Sequence, residues 1–575
     1  MTYKWNHLTL TPDQTTQRES LSKELGISPI LAGLLVQRGI ASFEQAKQFF
    51  RPQLSDLHDP FLMNDMDKAV VRLNAALQNK EHILIYGDYD VDGTTAVALV
   101  YKFLQQFSSD IGYYIPDRYG EGYGISHKGI DFAAANEYKL IIALDCGIKA
   151  IEKIEYAKSK GIDFIICDHH VPDDTLPDAI AVLDAKRVDS TYPYDQLSGC
   201  CVGFKFMQAF AIDNKIKFSE LTPLLDLVAV SIASDIVPIT GENRILAHYG
   251  LKQLNSNPSV GLKAIIDTCG LSDKDITISD IVFKIGPRIN ASGRIQTGNE
   301  SVELLTTNDP VIARRKSDEI NQYNQTRKDL DKNITEEANL ALHACTNLSD
   351  RKGIVVYSEE WHKGVIGIVA SRLTEEYYRP AIVLTRTDDL ATGSARSVPG
   401  FDVYKAIDHC RDLLENFGGH TYAAGLSMKV EKVPEFIKRF EDYVAANILP
   451  EQMIPTIDID ADIPFKEITP KFVRQLKLFN PFGPDNSKPI FCTNSVSDYS
   501  TSRLFGREQN HLKLEMVDKD SQNIMNGIGF CMQKHYNFIK SRNPFDIAYS
   551  IEENNYNGGN YTQLLIKDIK TETEE

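Results

Sequence analysis

The sequence predicts an α/β protein built on a parallel sheet, and two observations lead to this prediction. Short apolar runs alternate with stretches of helical spacing between residues 82 and 187, and the runs begin at His82, Ile111, Leu140, Phe164 and Ile180. Strands that are apolar throughout are typical of a parallel sheet covered by helices on both faces. Several runs also end directly in aspartate or histidine, and the carboxyl ends of parallel strands share one edge of a sheet.

Five segments are expected in order: a helical segment (1–70), a larger α/β domain (71–308), a connecting helix (309–346), a smaller α/β domain (347–448) and a small β domain (449–575). The connecting helix is predicted because Asp309-Pro310 precedes a long, charged, amphipathic run. Apolar runs at Gly353 and Ala381 predict the second α/β unit. Prolines near residue 450 mark the break before short strand-like runs.

Composition restricts the possible functions. The formal net charge is -17, which argues against a general basic surface, so a nucleic-acid ligand would need a local groove. The first residues lack the apolar core of a secretory signal, and the most apolar stretch, 224–239, contains two aspartates. We therefore expect a buried helix there, no membrane span and a cytoplasmic location. Nine cysteines without CxxC spacing favour reduced, structural thiols.

Three aspartates at alternate positions follow the first apolar run: Asp88, Asp90 and Asp92. A calcium-binding EF-hand loop needs Glu at position twelve, where this sequence has Leu99, which argues against calcium binding. A single aspartate here would be explained as a helix cap. Three clustered carboxylates repel one another unless a cation is present. The loop therefore predicts a metal site.

Further candidate ligands follow later apolar runs: Asp145, His169 beside Asp168 and His170, and Asp235 in an apolar setting. Each is a weak signal alone, because a strand-end Asp often caps a helix and a single His is more often a core residue. Together, carboxylates and imidazole suit Mn²⁺ or Mg²⁺ better than zinc.

The ordered motifs DYDVDG (88–93), DCG (145–147), DHH (168–170) and ASD (233–235) resemble the four metal-binding motifs of the DHH phosphoesterase family. GSARS (393–397) and FGGH (417–420) resemble substrate-binding motifs of the DHH-associated domain. GPRINASGR (286–294) and WHKGVIGIVASR (361–372) are similar to the single-strand-specific 5′→3′ exonucleases of this family. The resemblance implies a DHH catalytic domain, a DHH-associated substrate-binding domain and an OB-fold-like nucleic-acid-binding domain in segments two, four and five.

The resemblance also implies roles for individual residues. Two divalent ions, Mn²⁺ or Mg²⁺, would be held by Asp88, Asp90, Asp92, Asp145, His169 and Asp235, with His170 contacting the phosphate. Asp88 is included because Tyr86 stands where many family members carry a histidine ligand. The 5′-phosphate and the strand would be bound by Arg118, Arg288, Asn290, Arg294, His362, Ser394, Arg396, Gly418, Gly419 and His420, with residues 288–294 in a polar loop. Base stacking in a basic groove of the β domain would use Arg503, Phe505, Arg507, His511 and Lys513.

The predicted function is a metal-dependent 5′→3′ exonuclease that degrades single-stranded DNA to 5′-mononucleotides in repair and recombination. The resemblance further implies a single-strand-binding protein and a RecQ-type helicase as partners. Two alternatives stay open: a DHH phosphodiesterase for short oligoribonucleotides or cyclic dinucleotides, and a non-catalytic single-strand-binding scaffold. A dinucleotide-cofactor enzyme is set aside because the first turn has no GxGxxG. Ordinary ion pairs, turns or packing would equally explain Arg118, the Gly418–Gly419 pair or His362 taken singly.

Overall fold

The computed structural model of the chain describes residues 3–344, 350–519, 523–556 and 559–571. It begins with one short strand and three helices: β1 (Lys4–His7), α1 (Pro12–Leu25), α2 (Pro29–Gln37) and α3 (Phe43–Phe50). A Thr or Ser side chain accepts a backbone hydrogen bond at the start of each helix, namely Thr11, Ser28 and Ser42. These caps satisfy amide groups that a helix start leaves open. Strand β1 was not predicted from the sequence.

A five-stranded parallel sheet follows α4 (Met66–Gln78), and its strand order is β3-β2-β4-β5-β6. Its strands and the helices between them are β2 (His82–Gly87), α5 (Val91–Leu104), β3 (Ile111–Tyr114), α6 (His127–Ala135), β4 (Tyr138–Leu144), α7 (Ile151–Ser159), β5 (Asp163–Cys167) and β6 (Ala181–Leu183). The predicted α/β class with a parallel sheet is confirmed. Helix α5 begins at Val91, because Asp90 caps it.

Helices form the next part of the chain: α8 (Gly199–Asp213), α9 (Leu225–Ser234), α10 (Gly241–Ser256), α11 (Val260–Thr268), α12 (Ile278–Asp280), α13 (Gly286–Ile295) and α14 (Asn299–Thr306). Helices α8 and α9 pack against α5. The predicted polar loop containing Arg288, Asn290 and Arg294 is wrong, since these residues lie on α13. Pro287 occupies the first turn of that helix, where its missing N–H is not needed.

One long helix, α15 (Pro310–His343), leads to a second α/β unit, as predicted, and the sheet of this unit is mixed. Its elements are β7 (Ile354–Ser358), α16 (Ile366–Tyr377), β8 (Ala381–Thr387), β9 (Leu390–Arg396), α17 (Val403–Asp408), β10 (Asn416–His420), β11 (Ala423–Lys429) and α18 (Val433–Asn447). The strand order is β10-β11-β9-β8-β7, and only β7 and β8 are parallel.

The last part is mainly β-structure: β12 (Thr456–Ile459), β13 (Ala461–Asp462), α19 (Pro470–Lys477), β14 (Phe491–Asp498), β15 (Arg503–Phe505), β16 (His511–Val517), β17 (Ile524–Gly529), α20 (Tyr536–Lys540), β18 (Phe545–Tyr556) and β19 (Gly559–Thr571). The order β13-β14-β18-β19-β17-β16-β15 is supplemented by pairing of β14 with β16. That extra pairing closes five strands into a barrel, which fits the predicted OB-fold-like architecture. Strand β12 pairs in parallel with β1.

The chain divides into two compact units. The α/β unit contains His58–Val237 and Tyr249–Pro455. The barrel unit contains the described residues up to Leu57, Pro238–His248 and the described residues from Thr456 onward. In the barrel unit, α1–α3 share one hydrophobic core with the barrel, including Leu31, Leu35, Phe479 and Leu514.

Neither disulfides nor membrane spans are found in the described part of the chain. Its eight cysteines are all free, and Cys345 lies outside the described residues. No helix among these residues combines the length and apolar character needed to cross a bilayer.

Arg244 fixes the inserted segment within the barrel unit. Its buried guanidinium donates hydrogen bonds to the carbonyl groups of Phe49, Phe479 and Asn480, and lies 3.7 Å from the centroid of the Phe49 ring. Three separate segments are thereby tied together by one side chain.

We expect Arg244→Ala to lower the free energy of unfolding by at least about 3 kcal/mol, because each orphaned buried carbonyl costs about 1–3 kcal/mol. Urea unfolding followed by circular dichroism measures the loss. Lys252→Ala, at an exposed position of the same helix, is the control. Equal effects of the two substitutions would show that Arg244 does not anchor the unit.

Candidate metal centre

The first aspartates are positioned by the junction of β2 and α5. Asp90 caps α5 by accepting a hydrogen bond from the Gly93 amide at 3.0 Å. Asp92 lies in the first turn of α5, and its two carboxylate oxygens accept hydrogen bonds from Gly199 N, Cys200 N and Ser231 Oγ at 2.7, 2.9 and 2.6 Å. The start of α8 thus fixes the orientation of Asp92. A side chain at Gly93 would collide with the Asp88 carbonyl at 2.4 Å, so this tight loop requires glycine.

Two neighbouring strands and one helix bring further ligand candidates to the same place. His169 follows β5, and its Nε2 lies 3.2 Å from Asp145 Oδ1, 3.5 Å from Asp235 Oδ2 and 3.8 Å from Asp92 Oδ2. Asp145 follows β4 with a left-handed backbone, φ 58°. Asp235 ends α9. Four side chains widely separated in sequence therefore converge on one point.

The electrostatics of this cluster call for a cation. Burial, followed by the neighbouring carboxylates of Asp92 and Asp90, raises the pKa of Asp145 well above its usual value. Burial lowers the pKa of His169, which keeps the imidazole neutral and its lone pair available. Asp145 Oδ1 and both His169 ring nitrogens are buried without a hydrogen-bond partner. Unpaired buried polar atoms are costly, and carboxylate and imidazole donors fit Mn²⁺ or Mg²⁺.

Asp88 is buried beside this cluster. Burial and Asp90 raise the pKa of Asp88 to about 8, and its Oδ1 accepts a long hydrogen bond from the Gly124 amide, at 3.4 Å. Tyr86, which stands in place of the family histidine, donates its hydroxyl hydrogen to the Gly124 carbonyl at 3.0 Å. The ligand role of Asp88 stays a prediction.

Asp168 and His170 form a charged pair next to the ligand cluster. Asp168 Oδ1 accepts a hydrogen bond from His170 Nδ1 at 2.7 Å, and Oδ2 accepts one from the Ile148 amide at 2.9 Å. Burial opposes ionisation of both groups, but their hydrogen bond lowers the pKa of Asp168 to about 2 and raises that of His170 to about 9. His170 is therefore an imidazolium at neutral pH. Its ring centroid lies 4.6 Å from that of His169.

Four arginines from different elements of the α/β unit form a basic patch. Burial, together with the guanidinium groups of Arg118, Arg327 and Arg396, lowers the pKa of Arg294 to about 10. Arg396 Nη1 donates to Ser394 Oγ at 2.9 Å, and Arg294 Nη1 donates to the Gly364 carbonyl at 2.9 Å. Clustered guanidinium groups of this kind suit phosphate oxygens.

The sequence did not predict Arg327 as a site residue, because it lies among the alternating charges of α15, a pattern typical of a solvated helix face. A polar cavity of about 200 Å³ has a lining that includes Ser234, Asn290, Arg294 and Arg327. The side-chain oxygens of Ser234 and Asn290 are buried there without hydrogen-bond partners. Ser234, which lines this cavity, directly precedes the candidate metal ligand Asp235 in the chain.

Two residues predicted to bind the nucleic-acid strand make hydrogen bonds within the protein. Arg288 donates to Asn321 Oδ1 at 3.0 Å and to the Lys284 carbonyl at 2.8 Å. His362 Nδ1 accepts a hydrogen bond from the Gly364 amide at 3.1 Å. Their predicted contacts with a nucleic acid remain predictions.

Gly418, Gly419 and His420 lie on β10, the edge strand of the second sheet, rather than in a simple turn. His420 is opposite Ala423, which is opposite Arg396 on β9, so His420 and Arg396 are at the same level, two strand spacings or about 10 Å apart. Gly419 has φ 150°, and a Cβ there would lie 2.3 Å from the Ala423 carbonyl oxygen.

The barrel unit brings its predicted residues together on β15 and β16. Arg503 is opposite Lys513, and Phe505 is opposite His511, with the two ring centroids 5.2 Å apart. Two cations thus adjoin two rings on one face. The sequence did not single out Phe530, whose half-exposed ring lies 5.2 Å from that of His511. Arg507 lies in the turn between the strands.

Comparisons with known proteins agree with this architecture. Family models match residues 82–232 (DHH family, N-terminal domain), 350–446 (DHHA1 domain) and 459–568 (RecJ OB domain). The single-stranded-DNA-specific exonuclease RecJ of Bacillus subtilis is 36% identical over 97% of this chain and 70% of its own length. The single-stranded-DNA-specific exonuclease RecJ of Escherichia coli is 30% identical over 94% of this chain and 96% of its own length. The crystal structure of RecJ from Thermus thermophilus in complex with Mn²⁺ has a TM-score of 0.85 at 25% identity and covers 99% of this chain and 80% of that one.

The apparent affinity for Mn²⁺ should rise with pH. Burial, then neighbouring carboxylates, raises the pKa of Asp235 to about 8, and Asp88 reaches about 8 for the same reasons. Below pH 8 both carboxyls therefore carry protons that the ion must displace. For each proton displaced, the apparent affinity for Mn²⁺ falls about tenfold for every pH unit below 8. Isothermal titration calorimetry from about pH 6 to about pH 8 measures this slope, and a flat profile would contradict the assignment.

Proposed function

This chain belongs to the RecJ family of single-stranded-DNA-specific exonucleases, and on that premise we propose that it degrades single-stranded DNA from the 5′ end to 5′-mononucleotides in DNA repair and recombination. The observation that carries the proposal is the approach of His169 Nε2 to carboxylate oxygens of Asp92, Asp145 and Asp235 within 3.2–3.8 Å. This donor set fits divalent metal ions, and a relative in this family has been crystallised with Mn²⁺.

The metal centre would be assembled by Asp90, Asp92, Asp145, His169 and Asp235, with Asp88 as an additional ligand. These residues would hold two ions, Mn²⁺ or Mg²⁺, which would supply Lewis acidity and a water of lowered pKa for phosphodiester hydrolysis. The protein itself orients the ligands: helix α8 holds Asp92, and the neutral His169 offers a lone pair. No side chain has to act as a covalent nucleophile.

His170 would bind the scissile phosphate. As an imidazolium held by Asp168, it offers a charged hydrogen-bond donor beside the metal ligands, and such donors stabilise negative charge on phosphate oxygens. A cavity of about 680 Å³ opens next to it, lined by Tyr123, Ile125 and Lys149 among others. The cavity offers room for part of a nucleotide.

The direction of degradation would be set by the basic patch. Arg118, Arg294 and Arg396, with the Ser394 hydroxyl, would bind a terminal 5′-phosphate through fork-shaped donors. A 5′-phosphate anchored by these arginines would place the first phosphodiester near Asp235 and the other proposed metal ligands. The rest of the DNA strand near this site would be contacted by Arg288, Asn290, His362, Gly418, Gly419 and His420.

The barrel unit would bind the remaining single strand. Phe505, His511 and Phe530 offer ring faces, and Arg503, Lys513 and Arg507 offer cations to the phosphates. Stacking on aromatic rings tolerates any base. This local site agrees with a chain that is acidic as a whole.

The two alternatives are less well supported. A phosphodiesterase for oligoribonucleotides or cyclic dinucleotides does not account for the OB domain matched over residues 459–568. A scaffold without catalysis does not account for the complete ligand cluster. A single-strand-binding protein and a RecQ-type helicase remain predicted partners, and the cytoplasm remains the predicted location.

We expect purified protein in manganese buffer to release mononucleotides from a 5′-labelled single strand at once, and label from a 3′-labelled strand only late. A chelator abolishes both. Asp145→Ala should lower kcat at least about 100-fold, because even indirect supports of metal ligands contribute 10- to 100-fold. Asp178→Ala, an exposed carboxylate of the same domain, is the control. Early release of the 3′ label would refute the direction.

Arg396→Ala should reduce the preference for 5′-phosphorylated ends. Loss of a charged hydrogen bond costs about 1.5–3 kcal/mol, so KM for a 5′-phosphorylated strand should rise about 10- to 100-fold, while KM for a 5′-hydroxyl strand changes little. Arg386→Ala on β8 is the matched control, since its side chain pairs with Glu359. Equal effects on the two substrates would argue against a 5′-phosphate pocket.

A further inference from the structure

A second group of potential metal ligands lies in the barrel unit. His7, Asp462 and Cys492 each offer one ligand atom, and these atoms all lie within 4.8 Å of one another. The distance from His7 Nδ1 to Asp462 Oδ1 is 3.3 Å. The group contains nitrogen, oxygen and sulfur donors, unlike the cluster around His169.

Strand pairing brings these distant residues together. His7 ends β1 and is opposite Ile459 on β12, while Asp462 on β13 is opposite Cys492 on β14. Strand β13 begins two residues after β12 ends. The meeting of the three side chains is therefore a consequence of the backbone register, not of one flexible side chain.

The three residues differ in burial, and burial raises the pKa of the Cys492 thiol, which an ion would have to deprotonate. Cys492 is fully buried, whereas the side chains of His7 and Asp462 are 43% and 55% exposed. The sulfur thus forms the floor of the group, and the other two donors lie at its solvent-facing rim. An ion from solvent would meet the imidazole and the carboxylate first.

The distance between His7 and Asp462 is compatible with a bound ion. A charge-assisted N–H···O hydrogen bond is about 2.7–2.9 Å long, shorter than the 3.3 Å observed. Two ligands bound at about 2.1 Å in a tetrahedral zinc site lie roughly 3.4 Å apart. Cysteine sulfur, imidazole nitrogen and carboxylate oxygen are all zinc donors. The Cys492 thiol donates a hydrogen bond to Asn494 Oδ1 at 3.2 Å, and this bond is lost when the sulfur binds an ion as thiolate.

We propose that His7, Asp462 and Cys492 bind one Zn²⁺ ion, with water in the fourth position. Binding takes the sulfur as thiolate, and the thiol proton passes to solvent. The ion would clamp β1 to the barrel. Such a clamp has a clear use, because β1 has four residues and pairs only with β12 among the described strands.

The test uses full-length protein titrated with Co²⁺, which replaces Zn²⁺ and gives a thiolate-to-cobalt absorption band when sulfur is a ligand. We expect the band in the unmodified protein and in Asp145→Ala, and its loss in Cys492→Ser. Cys410→Ser, which removes a buried thiol elsewhere, should keep it. A missing band in the unmodified protein, or an unchanged band in Cys492→Ser, would overturn the proposal.

Zinc affinity gives a second readout at exposed positions, where a substitution leaves the core intact. His7→Gln and Asp462→Asn should each weaken Zn²⁺ binding at least about tenfold in competition with a chelating dye. His82→Gln, an exposed histidine outside the group, should leave it unchanged. Equal affinity in all three variants would also overturn the proposal. Exonuclease activity is a separate readout, so failure here leaves the proposed function untouched.

Discussion

Repulsion among buried carboxylates is the constraint on which the arrangement of the α/β unit depends. Asp90, Asp92, Asp145 and Asp235 meet at one edge of a parallel sheet, where burial and mutual proximity raise the pKa of several of them. The surrounding structure partly offsets this cost. The start of α8 donates to Asp92, and the neutral His169 lies between the acids. The remaining imbalance is what divalent ions would correct.

Positively charged groups lie next to the acidic cluster at the same edge of the sheet. Asp168 is not one of the proposed ligands. It accepts a hydrogen bond from His170, which raises the pKa of that imidazole and favours its protonated form. The arginines lie beyond, on α13, α15 and β9 and in the loop after β3. A phosphodiester strand would therefore meet cationic donors on both the proposed catalytic side and the proposed anchoring side, although the chain as a whole is acidic.

The sequence predicted the parts of the site that lie next to strand ends, because Asp145 and His169 follow apolar runs whose register is set by the sheet. It also predicted Asp235 through its apolar setting. It missed Arg327 and Phe530, whose positions near the other site residues depend on packing between elements distant in sequence. The GPRINASGR segment reads as a loop because its glycines and polar residues weaken the helical pattern, whereas Pro287 and the preceding turn start a helix. The roles of individual residues rest on resemblance and stay predictions.

The second sheet ends in an open edge formed by β10, and the composition of that edge has a consequence for solubility as well as for binding. Exposed edges invite strand addition by other chains, which leads to aggregation. Two adjacent glycines make β10 a poor template for such pairing, because they contribute no cross-strand side-chain contacts. The bare backbone that discourages a protein strand is also the surface that the proposed sugar-phosphate ligand would be able to approach closely.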